Sequence, residues 1–368
     1  MKCPICESTK LISLYKVSDL PLFQNKVYNS PEEAIKQKEV DISLCQCNEC
    51  GFVFNELFNN EEMDYDVNYQ NEQNYSSYFV EHLNSVADYL IENGFQEKNV
   101  IEIGCGKGYF TELLEEKGFK NIYGFDPAYE GENPNIIKDY FGEKYKSLNA
   151  DLIILRHVLE HIENPYLFLK QVQRSTSGCA KILIEVPSFE WIVENKAFWD
   201  IFHEHCNYFD KEFMSSFFSN AETKDVFNSQ YFLTLASLNE IKKPSSNKKY
   251  SENLFAISLN KFNNFLINHL PLAIWGGSSK GVTLLNIFDK DKKIIDCCID
   301  INPKKQNKFT ATTGHEVISP ERFFSNYSNT SASKYNIIVA NQNYFSEIVN
   351  QYGGSGVNFH SLEKLLIG

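Results

Sequence analysis

Apolar residues recur at two periods along this chain. Over residues 76–93 they fall at Phe79, Leu83, Val86, Leu90 and Ile91, the spacing of one face of a helix. Gly94 is placed to end that helix. Residues 99–103 are a short apolar run that predicts a strand. Residues 109–117 predict a helix that again stops at a glycine, Gly118. Strands are predicted at 121–125, 151–155 (DLIIL) and 181–186 (KILIEV), with a helix at 165–174 between the last two. Strand–helix alternation of this kind implies a parallel sheet with helices on both faces.

The stretch 242–249, KKPSSNKK, is polar, basic and carries Pro and Ser, so it reads as a boundary. After a helix near 250–268 the alternation restarts. Strands are predicted at 272–275, 293–299 and 337–340, and helices at 281–288 and 345–352. Before the first α/β block, residues 59–75 are acidic and amide-rich, and read as a linker or lid. The expected units are therefore 1–58, 59–240 and 241–368.

Length and composition agree with this. The chain has 368 residues, 43% of them hydrophobic and 23% charged, which is ordinary for a globular protein of two or three domains. The formal charge of −13 opposes approach to nucleic acid or an anionic membrane. No apolar run reaches the roughly 18 residues a membrane span needs. The start, Met-Lys-Cys-Pro-Ile-Cys, lacks an apolar signal region, so a cytoplasmic protein is expected. In that compartment the 10 cysteines are expected as metal ligands or buried thiols rather than disulfides.

Four segments carry chemistry. Val100-Ile101-Glu102-Ile103-Gly104-Cys105-Gly106-Lys107-Gly108 follows a predicted strand and opens a predicted helix. Its glycines let a ligand approach the backbone, and the helix start offers free N–H groups. Asp126 ends the next strand, about 20 residues on, where an acid accepts ribose hydroxyls. A dinucleotide site prefers G-x-G-x-x-G, whereas the spacing here is G-x-G-x-G. The second segment, Leu155-Arg156-His157-Val158-Leu159-Glu160-His161, leaves the strand DLIIL at the sheet edge where ligands bind. His157-x-x-Glu160-His161 also spells an inverted zinc-protease signature, but that motif needs one long helix. Here the histidine comes straight off a strand, and Glu160 and His161 can equally cap the next helix.

The third feature is a pair of knuckles, Cys3-x-x-Cys6 and Cys47-x-x-Cys50, suited to tetrahedral zinc held by four thiolates. Four protein ligands leave no open position, so the zinc would be structural. Cys45 is a fifth candidate that can replace Cys47. The fourth is Phe202-His203-Glu204-His205, in FWDIFHEHCNYF. Two imidazoles and a carboxylate among aromatics are costly to bury without purpose, and imidazole is suited to general-base work. In the last third, Trp275-Gly276-Gly277-Ser278-Ser279-Lys280-Gly281 lies between a strand and a helix. Its N–H groups, serine hydroxyls and Lys280 are placed to cradle a phosphate.

EIGCGKG resembles motif I of the class I S-adenosylmethionine (SAM) methyltransferases, and residues 155–161 resemble the stretch after motif IV, which lines the SAM pocket. The whole series is more specific. Two cysteine knuckles, DLPLFQN, the class I core, HEH and GGSSKG occur in the order of the sugar C-methyltransferases, which act on nucleotide-linked keto-deoxysugars. The resemblance implies an α/β fold. A class I methyltransferase Rossmann-like sheet would be flanked by a small N-terminal zinc-binding domain and a second, smaller C-terminal α/β domain. It makes Cys3, Cys6, Cys47 and Cys50 the zinc ligands. Glu102, Gly104, Cys105, Gly106, Asp126, Arg156 and His157 become SAM contacts, and Glu204 and His205 a catalytic pair with His205 as base.

A family tyrosine from before the first core helix matches Tyr69 or Tyr75. His203 and Asn207, with Gly277, Ser278, Ser279 and Lys280, are the expected contacts to the acceptor, whose nucleotide the C-terminal domain would hold. Two departures stand out. Phe202 replaces the tyrosine that usually precedes Glu-His, and FNSQYFLTLAS replaces a Gly-Gly-Ser-Leu strand. Methyl transfer to an oxygen or nitrogen of a glycan precursor or another small molecule is the alternative. A monomer or homodimer is expected, with a small-molecule acceptor as partner.

Overall fold

The computed structural model describes residues 1–63, 69–70, 72–176, 180–327 and 334–367. Of the expected lid, residues 64–68 and 71 lie outside the described residues. The N-terminal part is a sheet. β1 (Leu11–Pro21) pairs antiparallel with β3 (Glu39–Cys47), and β3 pairs with β4 (Val53–Asn55). Between β1 and β3 lie β2 (Val27–Tyr28) and α1 (Pro31–Ile35). Ser30 caps α1 by accepting from the Glu33 N–H, and Pro31 starts the helix where no N–H is needed.

The second part starts with α2 (Ser77–Glu92), which turns Phe79, Leu83, Val86 and Leu90 inward as the period required. Then come β5 (Asn99–Ile103), α3 (Tyr109–Glu116), β6 (Asn121–Phe125), β7 (Ile136–Ile137), β8 (Leu152–Arg156), α4 (Pro165–Arg174) and β9 (Lys181–Pro187). They are followed by α5 (Phe189–Glu194), β10 (Asn207–Tyr208), α6 (Lys211–Ser216), β11 (Ala221–Val226) and β12 (Tyr231–Ser237). The sheet runs β11-β12-β9-β8-β5-β6-β7. β7, β6, β5, β8 and β9 are parallel, and β12 and β11 close the edge antiparallel. Leu152, Ile153, Ile154 and Leu155 of β8 are all buried, because helices cover both faces. That explains the unbroken apolar run.

The third part holds α7 (Ala256–Asn268), β13 (Leu272–Trp275), α8 (Ser279–Phe288), β14 (Ile295–Ile299), β15 (Lys308–Thr310) and β16 (Glu316–Ile318). α9 (Pro320–Tyr327), β17 (Asn336–Val339), α10 (Phe345–Tyr352), β18 (Asn358–Ser361) and α11 (Leu362–Ile367) complete it. Its sheet runs β18-β17-β13-β14-β16-β15-β2, parallel from β18 to β16 and antiparallel at β15 and β2. The fold is therefore mixed α/β with two parallel sheets, an N-terminal cysteine-bearing part and a C-terminal α/β part.

Strands cross between the parts. β2, from the cysteine-bearing part, forms the edge of the last sheet, and β10, from the middle part, pairs with β4. In both large sheets the strand order reverses at the middle of the five parallel strands, at β5 and at β13. Open α/β sheets leave a crevice at the carboxyl end of such strands. Both crevices open into one cleft. No helix among the described residues is long and apolar enough to cross a membrane.

Phe52 fastens the first part to the second. It is fully buried and lies 5.0 Å from the Phe213 ring, 5.9 Å from Phe209 and 5.7 Å from Phe54. Phe52→Ala is expected to cost about 3–5 kcal/mol of unfolding free energy, read as a lowered urea midpoint.

Candidate active site

A cavity of about 640 Å³ lies between the two parallel sheets. At one end it is lined by Glu102, Gly104, Cys105 and Gly106 from the turn after β5, and by Arg156 and His157 from the end of β8. Phe202 and His205 stand along it. Ser278, Ser279 and Lys280 line the other end, with Asn302 and Lys305. Tyr69 and Tyr75 both line it as well, so the candidate sites separated in sequence share one space.

The turn after β5 is a tight strand-to-helix passage. Gly104 has φ +74°, and a Cβ there would sit 2.4 Å from Val158 Cγ2. Asp126 braces this turn. Its Oδ2 accepts from the Gly106 N–H at 2.9 Å and its Oδ1 from the Ala128 N–H at 2.8 Å. Burial raises the Asp126 carboxyl, and these two bonds oppose the rise. Asp126 is not among the cavity-lining residues, yet each of its oxygens keeps a second acceptor position. Glu102 is buried, its Oε2 takes the Thr111 hydroxyl at 2.6 Å, and burial raises its carboxyl.

Beneath His157 lies a buried ion network. Glu185 on β9 accepts from Arg156 Nε at 2.7 Å and from His82 Nε2 of α2. His157 stands between Glu185 at 3.7 Å and Glu160 at 3.3 Å. Burial disfavours the His157 cation, but the two carboxylates outweigh it and push the imidazole up to about 9. Arg156, His157 and His82 hold Glu185 well below the usual carboxylate range against its burial.

The HEH segment divides. His205 faces the cavity, with the Phe202 ring centre 4.1 Å from its own and the His161 ring 4.8 Å away. Burial and the neighbouring His161 hold His205 well below the ordinary imidazole range, so it is neutral at pH 7. His161 Nδ1 bonds the Glu204 carbonyl at 2.7 Å, so that nitrogen carries the proton. Sequence reading placed His161 in a stretch resembling the SAM-pocket lining, or as a helix cap, but not beside His205. Its place beside His205 depends on β10 returning next to the β8 edge, which no local pattern announces. Ligand atoms of Glu160, His161 and His205 lie within 4.8 Å of one another.

Three expected contacts turn away from the cavity. The Glu204 carboxyl is sealed, and its Oε1 accepts the Gln24 N–H at 3.0 Å, in the DLPLFQN segment. His203 packs against Phe58 with ring centres 5.4 Å apart and the planes tilted by 34°, and burial pushes it down to about 4. Asn207 spends its amide on the carbonyls of Leu159 and Ile162. Residues 202–205 form a tight turn closed by the His205 N–H on the Phe202 carbonyl at 3.2 Å, so the outer pair, Phe202 and His205, reaches the cavity and His203 and Glu204 point away from it.

The second glycine turn also corrects an expectation. The chain itself answers its N–H groups: Gly277 donates to Asp300 Oδ2 at 2.9 Å and Ser279 to Asn25 Oδ1 at 3.2 Å. Gly277 does not line the cavity, and Lys280 is ion-paired with Asp200. The cation beside the serines is Lys305, which donates to Ser278 Oγ at 2.6 Å. Gly281 is needed for packing, since a Cβ would sit 1.9 Å from the Gly276 carbonyl.

Residues 72–77 cross the cleft mouth. Glu72 Oε2 meets Lys107 at 3.1 Å and Lys304 at 2.8 Å, one from each side. Tyr344 donates to Gln73 Oε1 at 2.6 Å, and Ser76 and Ser77 bond Glu347.

Far from the cavity, the cysteine knuckles meet. Cys3 Sγ lies 3.6 Å from Cys50 Sγ, and Cys6 Sγ lies 3.4 Å from Cys47 Sγ. Thiolates around tetrahedral zinc, at ~2.3 Å each, stand about 3.8 Å apart, so the four fit that ion. Cys45 points instead to the Phe54 carbonyl at 3.6 Å. Prolonged chelation, or Cys50→Ser, is expected to remove about one zinc per chain and to lower the thermal midpoint, checked by metal analysis and calorimetry. A second expectation concerns pH. Burial pushes Glu204 up to about 8, against 4.5 ordinarily, so folding takes up a proton between those values. Stability therefore falls as pH rises through that window. In Glu204→Gln, the urea midpoint is expected to vary less than in the unsubstituted chain between about pH 5 and 8.

Comparison with known proteins agrees with the two-sheet plan. Residues 75–226 match a methyltransferase domain family, and residues 260–352 match the C-methyltransferase C-terminal domain. No curated protein matches the chain. Among solved structures, a protein of Pyrococcus horikoshii OT3 aligns at 16% identity and a TM-score of 0.37, covering 49% of this chain and 100% of the other. A SAM dependent methyltransferase from Archaeoglobus fulgidus aligns at 18% and 0.34, covering 44% and 100%. The plantazolicin methyltransferase BpumL, in complex with SAH, aligns at 14% and 0.33, covering 45% and 85%. The chain is a methyltransferase, with a methyltransferase domain followed by a C-methyltransferase C-terminal domain.

Proposed function

We propose that this methyltransferase uses SAM to methylate a carbon of a nucleotide-linked keto-deoxysugar. The observation that carries the reading is the single cavity joining the turn after β5, His205 and the turn after β13. A cofactor at one sheet edge and an acceptor at the other would meet beside His205. The residues at the first edge suit the cofactor: Glu102, Gly104, Cys105, Gly106, Arg156 and His157 line its pocket, and Asp126 offers its spare acceptor positions to the ribose. When bound, SAM supplies an electrophilic methyl on a sulfonium.

The chain's own task is to make a carbon nucleophilic. His205, neutral and packed against Phe202, takes the proton from the carbon beside the acceptor's carbonyl. The oxyanion formed needs donors, and we assign these to the hydroxyls of Tyr69 and Tyr75, because Phe202 has none. Ser278, Ser279 and Lys305 hold the nucleotide end. Zinc on Cys3, Cys6, Cys47 and Cys50 is structural, since four thiolates leave no open position.

The test is transfer of a labelled methyl from SAM to a panel of nucleotide-linked 4-keto sugars, with the product read by NMR. A methyl on carbon is expected, with His205→Ala losing at least about a hundredfold in rate and the exchange of the acceptor's α-proton. A methyl on oxygen or nitrogen would remove the enolate step and leave the cofactor assignment standing.

A further inference from the structure

Glu160 is 1% exposed, and neither of its carboxylate oxygens has a hydrogen-bond partner among the described residues. Its ion pair there is with His157 Nδ1, 3.3 Å from Oε1. A buried carboxylate with so few partners is costly, and the methyl-transfer chemistry gives it no task.

Two imidazoles stand beside it. One ligand atom each from Glu160, His161 and His205 lies within 4.8 Å of the others. Donors around a tetrahedral ion at ~2.0 Å stand about 3.3 Å apart, so the three need draw in by no more than about 1.5 Å. His161 and His205 line the cavity, which gives an ion its way in. His161 Nδ1 gives its proton to the Glu204 carbonyl, which puts the lone pair on Nε2. Metal-bound imidazoles are oriented in this way, through the other nitrogen. The two ligand segments are also tied together. Cys206 Sγ donates to the Glu160 carbonyl at 3.3 Å, and the Asn207 amide bonds the carbonyls of Leu159 and Ile162. The inverted zinc-protease signature fails as a helix motif, yet its Glu160 and His161 meet a third donor, His205, from a distant segment.

We propose that Glu160, His161 and His205 form a second metal site, for zinc or a similar divalent transition ion, and that an ion there silences methyl transfer. Imidazole and carboxylate are donors that such ions accept. Three protein ligands leave a coordination position open, unlike the four cysteines. The ion exchanges a bound water for the His205 lone pair, and no electron is transferred. That lone pair is then not available for the acceptor's proton. The silencing rests on His205 as the base in the reading above, whereas the binding does not.

The test titrates zinc chloride into the full chain that already carries its cysteine zinc, by calorimetry with metal analysis. About one further zinc per chain is expected. Glu160→Gln and His161→Gln are each expected to weaken that further zinc by at least about tenfold. Both variants are expected to keep the cysteine zinc and a cooperative thermal transition, which shows that they are folded. No further zinc, or a further zinc that neither variant weakens, would overturn the site. In the labelled-methyl assay, added zinc is expected to stop transfer, and citrate to restore it by stripping the added ion alone. Undiminished transfer with the further zinc bound would overturn the silencing. If no acceptor is methylated even without added zinc, the base reading fails, and calorimetry still decides the site.

Discussion

The carboxyl of Glu204 is sealed from water, and the Gln24 N–H reaches in to meet it. This contact sets the position of His205. A buried carboxyl cannot move toward solvent without losing that bond, so the loop from Phe202 to His205 is pinned to the cysteine-bearing part of the chain. The Glu204 carbonyl also takes the His161 proton. One residue thus holds both imidazoles while touching neither the cofactor end nor the acceptor end of the cavity.

That pin works only if the cysteine-bearing part is itself rigid. β10 extends its sheet, β2 leaves it to edge the last sheet, and Phe52 is clamped by Phe209 and Phe213. Four thiols drawn to one point fix the turns at its base. The small first part therefore acts as a brace between the two large sheets, and its cysteine cluster bears on the cavity only through geometry.

The central sheet and much of the last were legible in the sequence. Strands such as β5, β8 and β13 are buried on both faces and write themselves as apolar runs, and β5 and β13 end in glycine turns. The knuckle cysteines were legible for a different reason: metal geometry fixes their spacing. The strands of the first part were not, because β1 alternates buried and exposed positions irregularly around two register shifts. The β11–β12 pair was missed because β11 is an exposed, polar edge strand. Within the site, several side-chain directions were not legible. Glu204 reads as half of a catalytic pair until Gln24 is seen beside it. Lys280 reads as a phosphate ligand until Asp200 is seen to hold it. Both partners come from distant segments, and sequence spacing carries no information about such pairs.

The strap over residues 72–77 has a consequence for turnover. It is held by surface ion pairs and a few hydroxyl bonds, each of small worth, distributed over both halves of the molecule. Contacts of this kind break singly, so the mouth can open without any sheet losing a strand. Opening there would leave the cleft walls as they are, and its cost would fall on a few side chains whose partners water can replace.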